Sequence, residues 1–349
     1  MAEGHRQLKE IGGYPDFDFP RLPAGLRDSR FDAALHLNCG RNALACILRT
    51  MLRNGRILPS SRVFMAAYTC SAVSRAVNDC GLQIRFYPIA PHTMLPLPGE
   101  SPSPADVIIL TNYLGIYDSA LLAYARQSLA AVVIDNTQAL FMPPAHDIPA
   151  FYSPRKFIGL PDGGFATGIP PCDIPPALPH DPAYEYHLRL RPLVGAEAGY
   201  PCYLRNEARI SGLPTAGISS RSLELIGQCD CEAIIARRRE NFDILHTLLG
   251  DSNIFTVPDC DNFTAPLAYP YLPSVAVEPD LHSRLLKHRI YVPRYWPQTA
   301  APLRPDDYGH TLCRHMLPLP VDHRANPADM TRIAWLITKT IREALLTHG

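Results

Sequence analysis

The 349-residue chain contains no apolar stretch approaching the ~20 residues needed to span a bilayer. Its start, MAEGHRQLKEIGGYPDF, has no apolar core of the kind a signal peptide carries. A cytoplasmic protein is therefore expected. Charge of one sign is also missing: 33 basic and 33 acidic residues cancel, and no long single-sign run occurs. This argues against a nucleic-acid groove or an anionic membrane surface as partner and for a small ligand, neutral or anionic. Paired CxxC motifs are absent too. The ten cysteines are scattered, with only Cys229 and Cys231 close together, so buried thiols rather than a metal or redox site are expected. His180, His187, His310, His315 and His323 follow no metal-like spacing and read as surface or loop residues. No internal repeat is present.

Proline is abundant, with 36 residues concentrated in 88–104, 143–181 and 258–320. Proline interrupts helices and cannot donate to a ladder, so these stretches are expected to be ordered loops wrapping a core. With 47% hydrophobic and 19% charged residues, the chain is long and apolar enough for a large α/β domain plus a smaller one.

In the first half, short apolar runs alternate with helical patterns. AALHL, a polar NCG break and RNALACILRTMLRNG predict an extended segment, a turn and a helix, with Leu44, Ile47, Leu48, Met51 and Leu52 at helical spacing. RVFMAAY, LQIRFYPIA, ADVIILTNYLG and AVVIDNTQAL read as strands, and TCSAVSRAVNDCG and SALLAYARQSLA as helices. That alternation predicts parallel βαβ units with both sheet faces covered. Beyond about residue 182 the pattern predicts a long helix at CEAIIARRRENFDILHTLLG, then strand-like PLAYPYLPSVAV, helix DLHSRLLKHR, strand IYVPRYW and a closing helix. A domain boundary is placed near residue 240.

Open parallel sheets bind ligands at the carboxyl ends of their strands, so the residues just after each run are the candidates. Asp135 ends a fully apolar strand in VVIDNTQAL. A buried carboxylate there is costly unless a cation or several donors meet it; the alternative is an aspartate capping the turn. Lys156, in FYSPRKFIGLPDGGF, sits among aromatic residues, where desolvation makes an amine nucleophilic; a surface lysine beside Arg155 is the plainer alternative. The turn Gly40, Arg41, Asn42 opens a helix whose N–H groups point at an anion, with Arg41 and Ser153 as further donors. A lysine that forms an imine, a carboxylate that keeps a pyridine nitrogen protonated and a phosphate cradle are together what pyridoxal 5'-phosphate (PLP) chemistry requires.

In this order of features the chain resembles the DegT/DnrJ/StrS family of PLP-dependent, mostly sugar, aminotransferases. The resemblance runs from EIGGYPDFDF through NCGRNAL, RVFMAAYTCSAVSRAV, TNYLGIYD, IDNTQAL, SPRKFIGLPDGGF and RRRENF to MLPLPVDHRANPADMTRI. It implies PLP-dependent transferase fold type I, aspartate-aminotransferase-like. A three-layer α/β/α large domain with an N-terminal arm (1–240) would be followed by a smaller α+β domain (241–349). It implies Asp135 at the pyridine nitrogen, Gln138 near the phenolic oxygen, Lys156 as the Schiff-base lysine, and a homodimer with sites at the subunit interface. Asn112 is a candidate donor to the phenolic oxygen or a backbone cap. The chain departs from the family at Cys70, where an aromatic usually stacks on the ring, with Tyr68 two residues earlier. It departs again at Phe151, where a serine is usual, and in 190–225, which lacks the usual Asn-containing segment.

The resulting expectation is an aminotransferase carrying an amino group, plausibly from glutamate, to a keto group, perhaps of a nucleotide-linked sugar. Lys156 argues against the dehydratase members, which replace it. The alternative is a catalytically silent PLP-fold protein with a carbohydrate-binding or regulatory role. Arg205, Arg209 and Arg237 to Arg239 read mostly as solvated helix faces, and Tyr295 and Trp296 as core packing or a substrate entrance.

Overall fold

The computed structural model describes residues 8–97, 99–179, 181–273, 278–297 and 303–348. After a two-residue strand β1 (Ile11–Gly12) the chain forms β2 (Leu35–Leu37), α1 (Gly40–Arg53), β3 (Arg62–Ala66), α2 (Ser71–Asn78), β4 (Gln83–Tyr87) and β5 (Val107–Thr111). It continues through α3 (Asp118–Gln127), β6 (Ala131–Asn136), β7 (Ala150–Tyr152) and β8 (Gly164–Thr167). Strands β2 to β8 make one seven-stranded sheet in the order β2-β8-β7-β6-β5-β3-β4.

The interior strands are buried on both faces, as their unbroken apolar runs predict. Val63 and Met65 of β3 and Val107 and Ile109 of β5 join the core beneath α1 and α2. Their neighbours Phe64, Ala66, Ile108 and Leu110 join the core on the opposite face. This is the period-two alternation of a strand applied to a sheet with two covers. On α1, Leu44, Ile47, Leu48 and Met51 are all buried, each contributing ~1.5–3 kcal/mol by leaving water.

Two expectations for the sheet need correction. The sheet is mixed: β3 to β7 pair in parallel, but β8 is antiparallel to both β7 and β2. Between Tyr152 and Gly164 the chain has only a single 3-10 turn, Pro154–Lys156, too little to carry a crossover, so it must return antiparallel. The strand β4 lies at an edge, with Gln83, Arg85 and Phe86 exposed, so one of the predicted strands is not covered.

The second half forms α4 (Tyr186–Val194), α5 (Ala196–Gly212), α6 (Ser220–Gly227), α7 (Cys231–Leu249), β9 (Ala268–Tyr271), α8 (Glu278–Lys287), β10 (Ile290–Tyr291), α9 (Tyr308–His315), β11 (Leu317–Pro320) and α10 (Pro327–His348). The boundary expected near residue 240 falls inside α7. The strand β1 pairs with β10, so the N-terminal segment crosses to the C-terminal part. Residues 274–277 of the strand-like PLAYPYLPSVAV lie outside the described residues.

The prolines are not confined to loops. Pro192 and Pro201 lie inside α4 and α5. Pro270, Pro318 and Pro320 lie inside paired strands, with Pro318 directly opposite Pro270. Neither residue of that pair has an N–H, so it occupies a non-hydrogen-bonded position of the ladder, where none is missed. Among the described residues no helix is long and apolar enough to cross a membrane, and no three His, Cys, Asp or Glu side chains gather as a metal site needs.

Candidate active site

The carboxyl end of β6 carries the centre of the site. Asp135 is 2% exposed, and its Oδ1 accepts the backbone N–H of Thr137 at 2.9 Å. Lys156, on the one-turn helix after β7, donates from Nζ to Thr137 Oγ1 at 3.0 Å. Thr137 thus ties the carboxylate and the amine together. Burial pushes the Asp135 carboxyl above the ordinary carboxylate range, and the Lys156 ammonium pulls it back. Burial pushes Lys156 below the ordinary amine range, and Asp135 opposes that. Both groups are biased toward their neutral forms by the apolar surroundings their sequences predicted.

The start of α1 closes on the same place. A Cβ on Gly40 would lie 3.3 Å from the Tyr152 carbonyl, 3.4 Å from Thr137 Cγ2 and 3.5 Å from Ser153 Cβ. The first turn of the helix, Thr137 and Ser153 therefore converge, and the glycine keeps the backbone open to a ligand. The double glycine after Asp162 serves this packing: a Cβ on Gly164 would lie 2.2 Å from the Cys39 carbonyl carbon, so only glycine lets β8 pass the start of α1.

Gln138 is 1% exposed. Its Oε1 accepts the N–H of Leu114 at 2.8 Å, while Nε2 is buried without a partner. It lines a small cavity of about 10 Å³ with Tyr68, Tyr113, Tyr117, Tyr295 and Trp296, room for about one water. Tyr117 Oη, in the same wall, also has no partner. Tyr68 is stacked on Tyr113 at 5.7 Å, and Trp296 meets both edge-on; Tyr295 and Trp296, half-buried, pack against the core and line the cavity. Cys70 caps α2 and lies within electrostatic reach of Lys156.

Several predicted donors are spent elsewhere. Arg41 donates to the Leu213 carbonyl at 2.8 Å and pairs with Asp79 at 3.4 Å, so its side chain is not held toward the cradle. Asn42 donates to Asn38 and the Pro214 carbonyl, leaving its backbone N–H as its contribution. The amide nitrogen of Asn112 faces Asp118, Asn136 and Met142, and its oxygen accepts from Tyr117 N–H. Asn112 is thereby a structural tie that caps backbone, and not a free donor.

Two surface expectations also fail. His187 is 3% exposed, and burial with the nearby Arg155 cation pushes it down to about 4. His323 does lie in a loop, half-buried in the turn between β11 and α10. His180 lies outside the described residues. Arg238 is 1% exposed, donates to the carbonyls of Pro266 and Leu267, and lies 4.6 Å over the Phe157 ring. Of the cysteines, only Cys39, Cys46, Cys229 and Cys231 are fully buried.

Thr137 and Arg155 both lie in the strand-end stretches 135–138 and 153–156 that the sequence singles out, but no role for either is legible there. The Arg155 guanidinium pairs with Glu207 while its Nε is buried without a partner.

No family model matches the chain, and no curated protein matches it. Solved structures do. A DegT DnrJ EryC1 StrS aminotransferase from Brucella abortus is 17% identical with a TM-score of 0.59, covering 88% of this chain and 85% of that one. DesI, crystallised in the presence of its TDP-sugar product, is 18% identical with a TM-score of 0.57, covering 93% and 83%. The PLP form of Spr1654 from Streptococcus pneumoniae is 13% identical with a TM-score of 0.62, covering 95% and 99%. At these identities the likeness is one of fold, and it extends over nearly the whole chain.

Proposed function

We propose that this protein is a PLP-dependent aminotransferase, with Lys156 holding the cofactor covalently at rest. The observation that carries the reading is the cluster of buried Asp135 with half-buried Thr137 and Lys156 at the end of β6, on the fold shared with the aminotransferase structures above.

The residues present fit the cofactor. Asp135 is a buried carboxylate, with Lys156 the one cation shifting its titration, and a protonated pyridine would hold it ionised. Gln138 has a spare buried donor for a phenolic oxygen. The N–H groups of Gly40, Arg41 and Asn42 at the start of α1, beside Ser153, suit a phosphate. Cys70 would lie where the ring needs a cover and offers a small thiol in place of an aromatic face.

Once bound, PLP supplies an electron sink for charge developing at the amino-bearing carbon of a substrate. Asp135 keeps the proton on the ring nitrogen that makes the sink effective. With the cofactor bound, Lys156 Nζ would carry a proton to and from the substrate's α-carbon, a task that its lowered proton affinity suits. Thr137 Oγ1 orients that nitrogen. A glutamate-like donor, a keto acceptor on a nucleotide-linked sugar, a homodimer and a cytoplasmic setting complete the reading, as does a division into a large part (1–240) and a small part (241–349) joined through α7.

The test is an absorbance titration of purified protein with PLP, repeated for Lys156→Ala and followed by addition of glutamate. A visible band that requires Lys156 and is bleached by glutamate is the expected result. Folded protein that gives no band with PLP would overturn the reading.

A further inference from the structure

Cys46 and Cys172 are 126 residues apart in the chain, yet their sulfurs lie 3.1 Å apart. Cys46 is on the second turn of α1, 8% exposed, and Cys172 is half-buried in the segment IPPCDIPP that follows β8. That segment is held in place from several sides. Ile169 and Ile174, flanking Cys172, pack on the core beneath α1 and α2. The Pro175 carbonyl accepts the N–H of Gly217 at 2.8 Å. Four prolines, Pro170, Pro171, Pro175 and Pro176, restrict its backbone before any contact is made.

We infer that Cys46 and Cys172 are a modification site: a thiol pair preset to close reversibly into an intramolecular disulfide when a low-molecular-weight disulfide such as oxidised glutathione is present. The sulfurs need approach by only ~1 Å to reach the ~2.05 Å of a bond. The ordering that normally opposes joining residues so far apart in sequence has already been met by the fold.

The order of events follows from exposure. Cys172 is the accessible thiol, so its thiolate attacks one sulfur of oxidised glutathione, the disulfide breaks, and glutathione leaves as a thiolate that takes up the proton Cys172 lost. Cys46 then attacks Cys172 sulfur, expelling the second glutathione, which takes the Cys46 proton. Two protein thiols are oxidised and one glutathione disulfide is reduced to two glutathiones. Burial and the neighbouring Cys172 push the Cys46 thiol up to about 12, so the second step relies on the nearness of the sulfurs and not on a standing thiolate.

The bond would fasten IPPCDIPP to the helix whose first turn forms the anion cradle, and through Pro175 to the segment at Gly217. Reduced protein is exposed to oxidised glutathione, alkylated and digested without reductant. The expected product is a crosslinked Cys46–Cys172 peptide pair that dithiothreitol reverses, with a melting midpoint raised by roughly 5 °C or more in the oxidised protein. In Cys46→Ser, with its fold checked by a thermal melt, glutathione should remain on Cys172 as a stable mixed disulfide. Wild-type protein that stops at the Cys172 mixed disulfide, or in which neither thiol reacts unless the chain is denatured, overturns the inference.

Discussion

Two buried polar regions flank Lys156 and are built on opposite rules. At the end of β6, one residue just past the strand supplies both bonds: Asp135 is met by Thr137 N–H, and Lys156 by Thr137 Oγ1. Between α4, α5 and the body, Tyr14 stacks on Tyr203 at 4.8 Å and His187 lies 5.8 Å from Tyr203. There His187 Nδ1, both amide atoms of Asn206 and Arg155 Nε are buried without partners. Each such group costs ~1–3 kcal/mol, and the prolines inside α4 and α5 each remove a helical hydrogen bond. The first region is tied by its own hydrogen bonds; the second holds several buried polar atoms without a partner among the described residues.

The comparison can be broken most sharply at the amine. Lys156→Ala is expected to abolish covalent cofactor attachment and to lower transamination by ~10²–10⁴-fold or more, while leaving the melting midpoint unchanged or raised because a partly desolvated amine is gone. Absorbance and thermal melts of one preparation decide it; a variant that melts much earlier would show the lysine to be structural. Asp135→Asn comes next, with cofactor still attached and turnover down by ~10²-fold, read by separating band formation from the rate of bleaching by the amino donor.

The region at α4 and α5 is probed by acid. His187 goes from its ordinary 6.5 to about 4 in the fold, so its neutral form contributes stability in full above pH 6.5 that is lost as pH falls toward 4. Urea melts at pH 7 and pH 4 should show wild type losing up to ~3 kcal/mol more than His187→Leu over that interval. Equal losses would mean that the ring is already solvated. The smallest effect is expected for Thr137→Val, which removes one neutral hydrogen bond worth ~0.5–1.5 kcal/mol. A few-fold fall in the donor half-reaction, with a shifted pH profile for Lys156, distinguishes loss of positioning from loss of packing.

What could be read from sequence in the fold was what is local. The runs at β3, β5 and β6, the helical spacing of α1 and the length of α7 each sit within one element, and the alternation between them implies the layers. The reversal of β8 could not be read that way, because it depends on how little chain lies between Tyr152 and Gly164 and not on any periodicity. In the site, the positions of Asp135, Lys156 and Gly40 follow from strand ends. The direction of a long side chain does not: Arg41 turns to the Leu213 carbonyl and Arg238 disappears beneath Phe157, each choice set by residues distant in the chain. Helices α4 and α5 were obscured by their internal prolines, which ordinarily signal the opposite.

The facing prolines of β9 and β11 bear on what happens before the chain is fully assembled. Two-stranded ribbons offer two open edges, and an open edge can recruit a strand from another molecule. With Pro270 and Pro318 opposed at a non-hydrogen-bonded position, the N–H groups that would have projected outward there do not exist. A foreign strand approaching either edge finds a gap in the row of donors, so the ribbon resists intermolecular pairing until α7 and α10 have closed over this part of the protein.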